Sequence, residues 1–514
     1  MKKYFLLFVA AIGLMVASCS KDDDKIIVPE PTPTPTPTPD PTPDPEVVVT
    51  QDMIDNAMYD LFDKSNIVEF DVTDEKTLSV EEIANKIFGE DGTYGNEDLS
   101  AAKQAFLDNC QRISDSIANV TGENGFSCLF DSYKFKYTTI DENNNPLTLS
   151  AYMCWLRKIP FFNDKDPEHI VFICPYTHTQ AKECATESDG GVESYTFGKP
   201  NLFIIPDGQG FGANKDAQQT YLAHHLHAQQ YYDCLVAADR IYRERGGKYE
   251  TDWDLHVVGT SQGGGDALAL HKYLETHEQV YDLSAYYDSG KASDMKIADE
   301  ICKIANEKAG TKNVKVKLMD IWRFAYSIVC CGPYNPEVTL KTYLKWGMLS
   351  YPCVLPMVLK TMLALNPELA STYEEKQFYS ELYNKHKGEI DKVLIEKTLQ
   401  SLDLNKYMRQ LLALEGEPNG APELVPIDRI LSEEMLKPDS KMCQDIMAAL
   451  AKENLTSGWA PQKKCYVYTC EKDEVVPYEN SQLLLEFLGD KAVEMKLDAD
   501  SHMGACVSFF GKEW

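Results

Sequence analysis

Three residue types that can pass a proton between them stand in one order along the chain: Ser261, Asp473 and His502. A serine hydroxyl is a poor nucleophile at neutral pH. It attacks a carbonyl only when a base takes its proton and fixed N–H groups receive the developing oxyanion. Ser261 lies in Gly259-Thr260-Ser261-Gln262-Gly263-Gly264, where glycines permit a sharp, strained turn that exposes the hydroxyl. A glycine-rich helix start can also be plain structure or a phosphate cradle. The flanks favour the nucleophile: the apolar run from Leu255 to Gly259 reads as a strand, and the stretch from Asp266 to Leu274 as a helix.

A base able to reach that turn belongs after the last strand. His502 stands there in Asp498-Ala499-Asp500-Ser501-His502-Met503-Gly504, a polar loop whose small residues let an imidazole approach. The third member must accept the other ring N–H and stabilise the imidazolium as it forms. Asp473, at the end of the strand from Cys465 to Thr469, is the first choice. Glu471, Glu474, Asp498 and Asp500 compete, and all four read as solvated loop charges. The oxyanion is assigned to the N–H of Gln262 and to one donor in the loop Pro175-Tyr176-Thr177-His178-Thr179, with Thr177 and Thr179 as candidates.

These residues need a scaffold that brings distant loops to one edge. Buried-strand runs at His169–Cys174, Asn201–Pro206, Leu255–Gly259, Tyr326–Cys331, Lys464–Thr469 and Ala492–Leu497 are separated by helical stretches, which predicts a mostly parallel sheet with helices on both faces. An alternating pair, Tyr133–Ile140 and Leu147–Leu156 around Asn143-Asn144-Asn145-Pro146, predicts a hairpin. Residues 51–125 read as helical, most clearly from Asp98 to Ile117. Between Gly332 and Pro461 the alternation gives way to helix. Within it, the apolar run from Trp346 to Leu365 holds two prolines and Lys360, so it reads as a buried core or an acyl-lining lid and not as a membrane span. The resulting division is a secretion signal (1–18), a linker (19–46), an N-terminal helical segment (47–130), a first core part (131–332), a helical cap (333–455) and a second core part (456–514).

The start of the chain is basic, then apolar, then small, as in an export signal. Val16-Ala17-Ser18-Cys19 resembles the bacterial lipobox, which implies cleavage before Cys19 and lipidation of that residue. Ser20-Lys21-Asp22-Asp23-Asp24 is similar to the acidic export tag of Bacteroidetes surface lipoproteins. Both imply an outer-membrane lipoprotein exposed at the cell surface. The Thr-Pro repeats between Pro29 and Glu46 lack every second backbone donor and predict a polyproline spacer of about 50 Å, at about 3.1 Å per residue. A net charge of −30 excludes a nucleic-acid partner and a basic membrane patch, leaving the lipid as the membrane contact. Most of the 15 cysteines fall in apolar runs and read as small buried residues.

The chain resembles the capped α/β-hydrolases and is similar to the secretory lipases and esterases that share Gly-x-Ser-Gln-Gly-Gly. Other matching pieces are Pro206-Asp207-Gly208-Gln209-Gly210, Gly332-Pro333-Tyr334, Trp459-Ala460-Pro461, Asp473 to Asn480 and Ser501-His502. The resemblance spans about 133–514. It implies an α/β-hydrolase fold, hydrolysis of an ester of a lipid or an acylated carbohydrate through an acyl-enzyme, and no cofactor and no metal. The loop at 174–179 departs from the family's His-Gly-Thr-like stretch.

Three other readings compete. His224, His225 and His227 with Asp233 have helical spacing for a metal. An exported serine peptidase would use the same triad, although no acidic anchor for a peptide amino terminus is evident. A silent binding protein would have had no reason to keep Ser261, Asp473 and His502 in order.

Overall fold

The computed structural model describes residues 48–50, parts of 53–108, and 130–510 apart from 157–166, 168, 191–200, 248–252, 278–279, 306–314, 318–319, 321 and 415–422. Cys19, the signal and the proline spacer lie outside the described residues. So does most of the helix expected from Asp98 to Ile117. Asp98 itself is in a two-residue strand, while Lys103, Gln104, Leu107 and Asp108 are helical.

Nine strands form one sheet: β1 Phe70–Leu78, β2 Phe130–Ile140, β3 Pro146–Leu156, β4 His169–Cys174, β5 Leu202–Pro206, β6 Asp254–Thr260, β7 Phe324–Cys330, β8 Lys464–Thr469 and β9 Ala492–Lys496, in the spatial order β1-β2-β3-β5-β4-β6-β7-β8-β9. The first three are antiparallel to their neighbours, and from β5 to β9 every pairing is parallel. The central strands are apolar on both faces because helices cover both. Val257 and Phe172 belong to the larger core beneath the sheet, and Val258 and Ile173 to the smaller one above it.

The strand β1 corrects the helical reading of 51–125. Phe70 and Val72 alternate with polar residues and pack on the core while the other side stays wet, with a bulge between Val72 and Asp74. A short run carrying charges at Asp71, Asp74, Glu75 and Lys76 suits an edge strand, where charge discourages further pairing.

Two long helices flank the centre: α1 His224–Glu244, and α2 Gln262–Thr276 directly after β6. Between β7 and β8 the chain leaves the sheet and forms α3 Pro336–Trp346, α4 Val354–Leu365, α5 Glu381–Glu396, α6 Ser401–Leu411 and α7 Lys441–Ala451. These helices bury a separate apolar cluster that includes Tyr221 and Leu222 from the loop before α1. A ribbon of Met348–Leu349 with Val425–Pro426 interrupts the otherwise helical insertion. Lys360 of α4 turns outward to Glu375 at 2.8 Å and Asp391 at 3.1 Å, so its apolar face can stay buried. Among the described residues no helix is long and apolar enough to cross a membrane.

Two further helices close the chain: α8 Glu479–Leu488 and α9 His502–Phe510. The described cysteines from Cys154 to Cys506 are buried, and none of them forms a disulfide with another described residue.

Candidate active site

Ser261 occupies the turn between β6 and α2 with φ 56° and ψ −125°, a region that non-glycine residues avoid. Its N–H donates to Cys330 O at 2.9 Å, which ties the turn to β7. The neighbouring glycines have no room for a side chain. A Cβ on Gly259 would lie 2.0 Å from Gly263 O, and one on Gly263 would lie 2.2 Å from Cys174 O. Helix α2 can therefore start against the ends of β4 and β6 only with glycine at both positions.

His502 Nε2 lies 2.9 Å from Ser261 Oγ, and His502 Nδ1 lies 2.7 Å from Asp473 Oδ2. Asp473 Oδ1 accepts the N–H groups of Val475 at 2.9 Å and Val476 at 2.7 Å, so the carboxylate is fixed by its own loop. All three side chains are buried. Burial alone would lower the His502 pKa. The nearby Cys506 sulfur and Asp473 carboxylate and their hydrogen bonds outweigh it, and the ring is held well above the ordinary histidine value.

Two details differ from the sequence reading. His502 opens α9 and is not a loop residue. Glu474 is not a solvated charge: its carboxylate accepts the backbone N–H of His502 at 2.9 Å, so adjacent acids hold the ring and the backbone of one histidine. Glu471, Asp498 and Asp500 are exposed, as the sequence suggests. Glu471 contacts Lys496 at 3.5 Å, and Asp500 pairs with Lys472.

The proposed oxyanion donors separate. Gln262 is the first residue of α2, where a backbone N–H has no partner inside the helix. Thr177 lines the same cavity as Ser261, its hydroxyl 3.3 Å from that of Tyr221. Thr179 is excluded. Its N–H donates to Glu183 at 3.0 Å and its hydroxyl to Leu399 O in the insertion at 2.8 Å, so both donors are already taken.

The four residues of the metal reading on α1 do not converge: His224 and His227 share one partner, whereas His225 and Asp233 turn to others. Nδ1 of His224 and Nδ1 of His227 each lie 3.0 Å from the same oxygen of Asp266 in α2. His225 faces Glu453 at 3.1 Å, and Asp233 accepts from Thr139 at 2.7 Å. The other ring nitrogen of His224 is 3.2 Å from Pro333 O. The ring of His224 is thus held from both of its nitrogens. A Cβ on Gly265 would lie 2.5 Å from its Cε1, so the ring packs directly on the helix behind Ser261. Helical spacing pointed to these histidines, but nothing in the sequence singled out Asp266 as their partner.

Ser261, Gln262 and His502 open on a cavity of about 170 Å³ roofed by the helical insertion. Its walls include Leu222, Leu340, Leu355, Val358, Met435 and Val476, and among the described residues no Asp, Glu, Lys or Arg lines it. Such a site can strip water from an apolar group and hold it beside an activated hydroxyl.

No protein-family model matches the chain, and no curated protein matches it in sequence. Solved structures do match in shape. The rice cell wall degrading esterase LipA from Xanthomonas oryzae superposes with a TM-score of 0.55 at 16% identity, covering 78% of this chain and 92% of the other. A putative hydrolase from Legionella pneumophila superposes with a TM-score of 0.51 at 13% identity, covering 86% and 94%. The fold is that of the α/β-hydrolases, with the expected mostly parallel sheet and flanking helices.

Proposed function

We propose that the chain is a serine hydrolase that cleaves carboxylic esters with an apolar acyl part through an acyl-enzyme. The observation that carries this reading is the unbroken relay from Asp473 through His502 to Ser261, opening on an uncharged apolar cavity. Asp473 accepts from Nδ1–H and so leaves the Nε2 lone pair facing the hydroxyl. Ser261 Oγ attacks the ester carbonyl as its proton passes to Nε2, and the Gln262 N–H, with a donor near Thr177, receives the oxyanion. The imidazolium returns the proton to the leaving alcohol. Water then repeats the sequence and frees the acid. The esterase named among the structural neighbours agrees in class with this reading. The sequence adds the setting: a lipid on Cys19 and a proline spacer would hold the domain outside the outer membrane.

A p-nitrophenyl ester series of increasing acyl length, run on the wild type and Ser261→Ala, tests the proposal. Hydrolysis by the wild type with a loss of roughly 10³-fold or more in the variant is expected. Equal activity in the variant would remove Ser261 from the mechanism. A wild type inert on every ester but active on peptides would replace the substrate class.

A further inference from the structure

At the end of β6 remote from Ser261, three side chains meet. His169 opens β4 and pairs in register with Asp254, the first residue of β6, while His256 lies two positions further along the same strand. Residues two apart on a strand share a face, so the three project together from adjacent strands. His169 Nδ1 is 2.5 Å from Asp254 Oδ1, and His256 Nε2 is 2.8 Å from that same oxygen. One ligand atom from each residue falls within 4.8 Å of the others.

We infer that His169, Asp254 and His256 form a site for a zinc-class divalent cation. Two imidazole nitrogens and one carboxylate oxygen make a donor set for a first-row divalent ion, whereas magnesium and calcium prefer oxygen alone. Two further observations favour a ligand over a plain ion-paired cluster. His169 Nδ1 and Asp254 Oδ1 are buried and close, yet the contact is not a hydrogen bond of acceptable geometry, so the ring N–H line misses the oxygen. His256 Nδ1 lies 3.3 Å from the Tyr326 hydroxyl on β7. A proton on Nδ1 donated to that oxygen leaves the Nε2 lone pair facing the cluster, the outer contact that ligating histidines use.

The two imidazoles stack at 4.6 Å with a 27° tilt. Binding requires them to splay further, which side chains about a quarter exposed at His169 and Asp254 leave room to do. The ion would clamp β4 to β6 and take no part in chemistry at Ser261.

The test uses the full chain, stripped with a chelator and then titrated with Zn²⁺ and, separately, Co²⁺. The wild type and Ser261→Ala should bind one tightly held Zn²⁺ each, with a rise in Tm, and Co²⁺ should give visible ligand-field bands. His169→Gln and Asp254→Asn should each weaken binding at least tenfold and abolish both the bands and the Tm rise. Failure of the wild type to bind, or binding that survives both substitutions, would overturn the site. A Tm lowered in Asp254→Asn with no effect of Zn²⁺ on the wild type would mean an ion-paired cluster only. Esterase activity is not the readout, so the result stands apart from the fate of Ser261.

Discussion

Under the proposed mechanism, proton transfer at His502 sets the expected pH dependence. The ring acts as a base only when neutral, and its raised pKa means that a smaller neutral fraction exists at any given pH. The acid limb of kcat/KM should therefore lie above the ordinary histidine value of about 6.5, with activity rising as pH rises through it. Asp473→Asn removes a charge that helps oppose burial, so the limb should move to lower pH while kcat falls roughly 10³- to 10⁴-fold. A pH–rate profile of both proteins checks the two shifts together. Glu474→Gln should lower kcat roughly tenfold and leave KM nearly unchanged, since it weakens one charge-assisted bond to the histidine backbone. Ser261, Asp473 and His502 were legible because chemistry restricts their types and the fold restricts their order. Glu474 was not, since a carboxylate that holds a backbone N–H leaves no pattern distinguishing it from a solvated neighbour such as Glu471. The second oxyanion donor stayed open for a related reason: backbone N–H groups are present at every non-proline residue, and only the capture of the Thr179 N–H by Glu183 narrowed the choice.

Among the elements, the turn from β6 to α2 was written in its glycines, and the parallel strands in their apolar runs. The structure supplies the reason for the first: Gly263 passes against the carbonyl of Cys174, where a methyl group would sit 2.2 Å from oxygen. Gly263→Ala should therefore destabilise the fold by about 1–3 kcal/mol through overpacking, measured by denaturant unfolding, and reduce activity by displacing Ser261 and Gln262. Gly388 on α5, where a Cβ would meet nothing within 4 Å, provides the control. Gly388→Ala should be neutral or stabilising by up to about 1 kcal/mol, since glycine inside a helix costs about that much. The strand β1 escaped the sequence because only Phe70 and Val72 carry its alternation before the bulge breaks the period. Its place is fixed by pairing with β2, a partner some sixty residues away that local periodicity does not report.

The helical insertion roofs the cavity on which Ser261 opens, and under the proposed function it would select what reaches the hydroxyl. Its helical character was legible from the end of strand alternation after Gly332, and the apolar run at α4 allowed either a buried core or an acyl wall. The structure shows one helix doing both: Met362 packs in the insertion's core, Val358 lines the cavity, and Leu355 and Leu359 belong to both. A helix amphipathic between two apolar surroundings has no polar stripe to mark which side faces substrate, so sequence alone left the two readings open. Each methylene transferred from water into such a cavity contributes about 0.8 kcal/mol, or about fourfold in kcat/KM where the contact is made in the transition state. The ester series should accordingly climb with acyl length until the cavity is filled and then level off. Val358→Trp should bring the plateau to a shorter chain, reducing kcat/KM for long acyl esters at least tenfold while acetyl ester hydrolysis falls far less. A uniform loss across all lengths would mean that the tryptophan had disturbed the Ser261 turn instead, and a profile flat in the wild type would place the acyl chain outside this cavity.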